Sequence, residues 1–151
     1  MICEPVTEFK YRKTQPNAFA PTKAYANDAG YDLYAREDFV LLPGHGKVVD
    51  IGISIAIPEG YYGRIASRSS VASKNGCIIL GGVVDQGYSG PLKVILHSLA
   101  GLSRTGQHFK RGSKIAQLII EKHLTGELFT EMKDDVKTNG RGNNGFGSSG
   151  L

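Results

Sequence analysis

An arginine and a phenylalanine set among glycines and serines close this chain: Asn139-Gly140-Arg141-Gly142-Asn143-Asn144-Gly145-Phe146-Gly147-Ser148-Ser149-Gly150. Arginine offers a planar fork to phosphate oxygens. Phenylalanine offers a face on which a base can stack, and glycine lets the backbone approach a ligand closely. The set reads as a tail that folds over a nucleotide, provided the chain ahead of it supplies a pocket. A Gly/Ser-rich terminus also reads as a plain flexible end.

Four further stretches carry residue types fit for nucleotide chemistry. In Gly63-Arg64-Ile65-Ala66-Ser67-Arg68-Ser69-Ser70 a strand runs into a short helix. Serine is a preferred helix N-cap, and a hydroxyl and guanidinium beside unpartnered N–H groups make a phosphate cradle; a capped helix with a surface arginine fits equally. In Gly81-Gly82-Val83-Val84-Asp85-Gln86-Gly87-Tyr88 the apolar run ends on Asp85. A carboxylate there can orient and deprotonate water attacking an activated phosphate, or it can close an Asx turn. Tyr88 by itself reads as a packed surface aromatic. Asp32, in Tyr31-Asp32-Leu33-Tyr34, has no basic neighbour in sequence. It suits a water of hydrated Mg²⁺, which takes few carboxylates, or an edge-strand position. Gln117 lies in the apolar run Ile115-Ala116-Gln117-Leu118-Ile119; it either faces outward or is a buried amide that buttresses a carboxylate.

The elements that must position these residues are strands. Alternating or apolar runs at 31–36, 47–57, 61–66, 77–80, 82–84, 92–99 and 114–122 are separated by turn signals such as Pro43-Gly44 and Pro58-Glu59-Gly60. They predict an all-β sandwich or barrel of jelly-roll type. Only Ser69 to Lys74 predicts a helix, so a Rossmann-type sheet is excluded. The length, 151 residues, suits one domain: a barrel over 1–132 and a C-terminal arm over 133–151. The net charge of +4 suits anionic ligands but is too mild for a nucleic-acid-binding module. The 20 glycines favour a turn-rich β fold. The two cysteines, Cys3 and Cys77, and the four scattered histidines have no metal-site spacing. With no signal-like segment or long apolar run, the expected setting is intracellular, cytoplasmic or nuclear, and not secreted. No P-loop, GxSxG or HExxH is present.

Taken in order, AGYDLYA at 29–35, GRIASRSS at 63–70, GGVVDQGYSG at 81–90, GSKIAQLI at 112–119 and RGNNGFGSSG at 141–150 resemble the five motifs of the trimeric dUTP pyrophosphatases (dUTPases). The resemblance spans almost all of the chain after its first two dozen residues, and the combination is highly specific. It implies a dUTPase-like β-clip barrel that hydrolyses dUTP to dUMP and pyrophosphate with Mg²⁺, as a homotrimer with shared active sites. Asp85 then resembles the base that activates water, and Tyr88 the aromatic that packs on deoxyribose and excludes a 2′-hydroxyl. The hairpin backbone from Gly82 through Val83 and Val84 to Lys93 is expected to read uracil. Arg68, Ser69 and Ser70 match the phosphate-binding motif. Asp32 matches the carboxylate that holds Mg²⁺ through water, and Gln117 the amide that contacts the second motif. Arg141 matches the clamp on the terminal phosphate and Phe146 the cover over uracil. Backbone N–H groups at Gly147, Ser148 and Ser149 are implied to bind the γ-phosphate.

The chain departs from the family pattern at several positions. Ser67 stands where proline is usual, and Ser70 where glycine is. Gln86 and Gly87 lack the usual acidic residue, Ser113 and Lys114 replace Asp and Arg, and Ser149 replaces a common Thr. These departures bear on rate and affinity more than on the reaction. A related dCTP-deaminase chemistry wants a glutamate beside the base, which the hairpin lacks. A non-catalytic dUTP-sensing or partner-binding trimer is the remaining alternative.

Overall fold

The computed structural model describes residues 8–99, 105–126, 129–133, 140–145, 147 and 150. The strands are β1 (Lys10–Lys13), β2 (Gly30–Tyr34), β3 (Phe39–Leu41), β4 (Gly46–Asp50), β5 (Ile53–Ala56), β6 (Tyr61–Ala66), β7 (Cys77–Leu80), β8 (Val83–Val84), β9 (Lys93–Ser98), β10 (Gln107–Phe109) and β11 (Lys114–Lys122). The one helix, α1, covers Ser69–Asn75. All strand pairs are antiparallel, in sheets ordered β2-β11-β6-β8, β4-β9-β7, β1-β5 and β10-β3. The architecture is the expected all-β, jelly-roll-like one. No helix among the described residues is long and apolar enough to cross a membrane.

Alternation decides what is inside. Val49, Ile51, Ile53 and Ile57 from one run meet Leu33, Leu41, Ile65, Val94, Leu96, Ile115 and Leu118 in a single core. Phe39 stacks on Phe109 at 4.9 Å and so ties β3 to β10; neither of these short strands is predicted from sequence. The run from Lys47 to Ile57, predicted as one strand, is two. The chain turns a corner at Gly52, whose φ is +75° and where an added Cβ would stand 2.9 Å from both Ala18 Cβ and Arg36 Cδ. Asp50 Oδ1 accepts the Gly52 N–H at 2.7 Å, and Arg36 Nε donates to Asp50 O at 3.0 Å. Beyond the corner β5 leaves β9 and pairs with β1. The basic stretch Lys10-Tyr11-Arg12-Lys13 is thus an exposed edge strand, where charge discourages pairing with another chain.

Candidate active site

The second and fourth motif segments meet Asp32 in one groove, lined by Ala24, Asp28, Gly30, Asp32, Arg68, Ser69, Lys114 and Gln117. Register explains the meeting. Gln117 on β11 is flanked by Asp32 of β2 on one side and Ala66 of β6 on the other, and cross-strand partners share a face. The carboxylate without a basic neighbour in sequence has two in space. Arg68 Nε lies 2.9 Å from Asp32 Oδ1, and Lys114 Nζ lies 3.1 Å from Oδ2. Asp32 is only 14% exposed there.

Two of the expectations for this groove need correcting. Neither Ser69 nor Ser70 caps α1. The N-cap residue is Arg68, in extended conformation and with no side-chain cap bond, since a guanidinium has only donors and nothing to offer the helix N–H groups; its side chain reaches across to Asp32. The Gln117 amide does reach the second motif, but at its backbone and not at a carboxylate; its Nε2 donates to Ser67 O at 2.8 Å. Ser69 is exposed in the groove, and Ser70 lines the adjoining depression with Lys74 and Ser113. Ser67, unusual against the family pattern, has a structural use, since its Oγ accepts the Ile79 N–H at 3.1 Å. Gly30 went unnoticed from sequence. A Cβ there would stand 2.2 Å from Gln117 Oε1, so glycine is what admits the amide.

Asp85, Tyr88 and Lys93 line a different depression, with Ile65, Gly81, Val83, Val84 and Leu92. Gly82 sits so close to β6 that an added Cβ would be 2.1 Å from Ile65 O; Ile65 N donates to Gly82 O at 2.7 Å. We expect Gly82→Ala to push β8 off β6 and to cost about 3 kcal/mol, read as a lower urea midpoint with unchanged m-value. The loop after β8 is closed by backbone, Tyr88 N donating to Asp85 O at 3.0 Å. The Asx-turn alternative is therefore not the one used. Among the described residues the Asp85 carboxylate has no hydrogen-bond or ion-pair partner, and the residue is exposed. Tyr88 Oη donates to Pro91 O at 2.8 Å, folding the ring over Gly90, where a Cβ would collide with Tyr88 Oη at 2.7 Å.

One chain does not bring the two clusters together. β8 pairs with β6 at Gly63↔Val84 and Arg64↔Val83, whereas Gln117 and Asp32 lie at the Ala66 end of β6. The three steps from Gly63 to Ala66 span about 10 Å, and Asp85 and Arg68 lie outward of those ends. In the tail, Arg141 is exposed and bonds locally, Nε to Asn144 O at 2.9 Å. Gly147 is exposed; Phe146, Ser148 and Ser149 lie outside the described residues.

A third polar cluster was not foreseen. Glu121 Oε1 accepts from both Nε and Nη2 of Arg64, at 3.0 and 2.7 Å, and Oε2 accepts from the Tyr62 hydroxyl. Arg64, and then Tyr62, hold the Glu121 carboxyl below its ordinary range. The Glu121 carboxylate in turn raises the Tyr62 phenol. Register makes the cluster, Tyr62 standing directly opposite Glu121.

Among the described residues no three His, Cys, Asp or Glu side chains cluster closely enough to cage a metal. Asp32 nevertheless fits an indirect hold. A carboxylate has about four lone-pair sites, and its two partners leave room to accept from a metal-bound water, the mode Mg²⁺ favours.

Comparison with known proteins places the chain in a family. The family model for dUTPase matches residues 17–150. The deoxyuridine 5'-triphosphate nucleotidohydrolase of Yarrowia lipolytica is 44% identical over 138 residues, covering 89% of this chain and 84% of that protein. The Saccharomyces cerevisiae protein of the same name is 40% identical over 142 residues, 93% of each. Among solved structures, a mutant Staphylococcus bacteriophage 80alpha dUTPase with dUpNHpp superposes with a TM-score of 0.86 at 29% identity, covering 97% of this chain and 100% of that one. A mutant dUTPase from phage phi11 of S. aureus, which reveals the coordination of a structural Mg(II) ion, superposes with a TM-score of 0.75 at 29% identity, covering 84% and 97%.

Proposed function

This chain belongs to the dUTPase family, and we propose that it hydrolyses dUTP to dUMP and pyrophosphate by in-line attack of water on the α-phosphorus. The observation that carries the reading is the hairpin. It presents an exposed carboxylate, Asp85, with no partner among the described residues, beside a tyrosine ring folded down on Gly90. Such a carboxylate can orient a water and take its proton without first breaking a protein contact. Tyr88 offers a flat wall for a deoxyribose. Backbone groups from Gly82 to Lys93 are the ones within reach of a uracil edge.

Phosphoryl chemistry of this kind is mostly positioning and charge neutralisation. Arg68 and Ser69 supply a guanidinium and a hydroxyl to the phosphates. Gln117 holds the backbone of Ser67 and so fixes where Arg68 begins. Mg²⁺, held through water by Asp32, would neutralise the triphosphate oxygens. The arm over 133–151 closes over the nucleotide. Arg141 clamps the terminal phosphate, Phe146 covers the base, and the backbone at Gly147, Ser148 and Ser149 binds the γ-phosphate. Ordering so glycine-rich an arm opposes closure, which makes closure depend on a full triphosphate.

The protein works as a homotrimer in which Asp85 of one protomer faces Arg68 of another. The separation of the two clusters along β6 supports this. So does the segment after β11, where Leu124, Phe129 and Met132 are 82%, 97% and 72% exposed, as befits apolar side chains covered by a neighbouring protomer. An intracellular setting is in keeping with Cys77, a buried free thiol. The test is pyrophosphate release from dUTP with Mg²⁺, against UTP, dTTP and dCTP. We expect turnover of dUTP alone; ammonia from dCTP, or tight dUTP binding without turnover, would refute the assignment.

A further inference from the structure

The pairing of β11 with β2 contains an irregularity. Gln117 faces Asp32 and Ala116 faces Leu33, but the next partner of Tyr34 is Lys114 rather than Ile115. This β-bulge turns Ile115 inward beside Ala116, both fully buried. It therefore delivers Lys114, in place of an isoleucine, to the face that carries Asp32 and Gln117. Bulges commonly re-aim a side chain in this way beside a site.

The two cations on Asp32 are not equivalent. Arg68 is fixed. Its Nε binds Oδ1, its Nη1 reaches Lys114 O at 3.4 Å, and its side chain is 26% exposed. Lys114 makes one contact to Oδ2 from a side chain 40% exposed. An ammonium on a flexible four-carbon stem can release where a planar fork would stay bound. Asp28 is the other acidic residue in the groove, and its Oδ2 accepts the Tyr25 N–H at 3.0 Å.

We propose that Lys114 is a positioning residue that governs access of a hydrated divalent cation to Asp32, occupying Oδ2 in the free protein and swinging toward the triphosphate when the cation arrives. The proposal rests on the dUTPase reading above. With Lys114 in place the Asp32 cluster carries one excess positive charge, which opposes a divalent cation. Without it, Arg68 and Asp32 balance. As Mg²⁺ comes with the nucleotide, the ammonium exchanges one anionic partner for another.

The test is calorimetric titration of a nonhydrolysable dUTP analogue at a series of Mg²⁺ concentrations, for the wild type, Lys114→Met, Lys114→Gln and Lys114→Arg, with thermal melts to confirm folding. The readout is the Mg²⁺ concentration that gives half of the gain in analogue affinity. We expect Lys114→Met and Lys114→Gln to lower it several-fold, on the order of tenfold at most for one unit charge beside a divalent ion in a water-like medium. Lys114→Arg, which keeps the charge on a fork that stays bound to Asp32, should leave it at or above the wild-type value. An unchanged or raised value in the neutral variants, or an equal shift in Lys114→Arg, overturns the role of Lys114. Absence of analogue binding by the wild type overturns the dUTPase reading itself, so the two failures are told apart.

Discussion

Asp85→Asn is expected to lower kcat for dUTP by about 10³-fold, the usual scale for loss of a positioned general base. It should leave the affinity for a nonhydrolysable analogue within a few-fold of wild type. Both halves follow from the geometry. The carboxylate is exposed and, among the described residues, makes no hydrogen bond or ion pair, so its replacement by an amide of the same shape breaks nothing in the fold. The hairpin is held by its backbone, through Tyr88 N to Asp85 O and Ile65 N to Gly82 O, and a side-chain change leaves those bonds intact. Pyrophosphate release and calorimetry on the same preparation provide the check. Substantial remaining turnover would remove Asp85 from the chemistry, and lost binding would assign it to substrate recognition instead.

The second large effect concerns assembly. Asp85→Asn and Arg68→Gln should each be nearly inactive alone, yet a mixed trimer of the two should recover about a third of wild-type turnover, because one site in three of any mixed ring draws an intact Asp85 and an intact Arg68 from different protomers. The expectation comes from the register of β6, which puts Val84 opposite Gly63 and the Asp32–Gln117–Ala66 row three residues further along, with Asp85 and Arg68 leading away in opposite directions. Two groups that diverge along one strand in this way do not meet on one phosphorus within a single chain. Co-expression with two affinity tags, followed by assay of the doubly captured species, measures it. Activity that does not rise above that of the parents would mean that each protomer builds its own site.

Much of the architecture is legible in the sequence because burial follows a period of two. The run through Val49, Ile51, Ile53, Ile55 and Ile57 reads as core, and all of it is core except Ile55, which is partly buried against it. The limits of β11, Lys114 and Lys122, also follow from the pattern. What the pattern cannot carry is any event that interrupts the ladder. The corner at Gly52 keeps the alternation while handing the chain from β9 to β1, so periodicity passes through it unbroken. The short strands β3 and β10 exist because Phe39 and Phe109, seventy residues apart, stack on each other, and no local signal announces a partner so distant.

The chain's residue types and their order determined the chemistry available: one acidic side chain after an apolar run, an arginine–serine junction, a strand-borne aspartate, an amide in a strand and a glycine-laced tail. Those are properties of side chains and need no coordinates. Tertiary structure alone decided which of them meet. A single extra residue in β11 brings Lys114 rather than Ile115 to Asp32, the same carboxylate draws in the Arg68 side chain from the start of α1, and the register along β6 keeps Asp85 from both. The reason is that proximity in a β fold is set by cross-strand register, and register is fixed by packing between segments far apart in the chain.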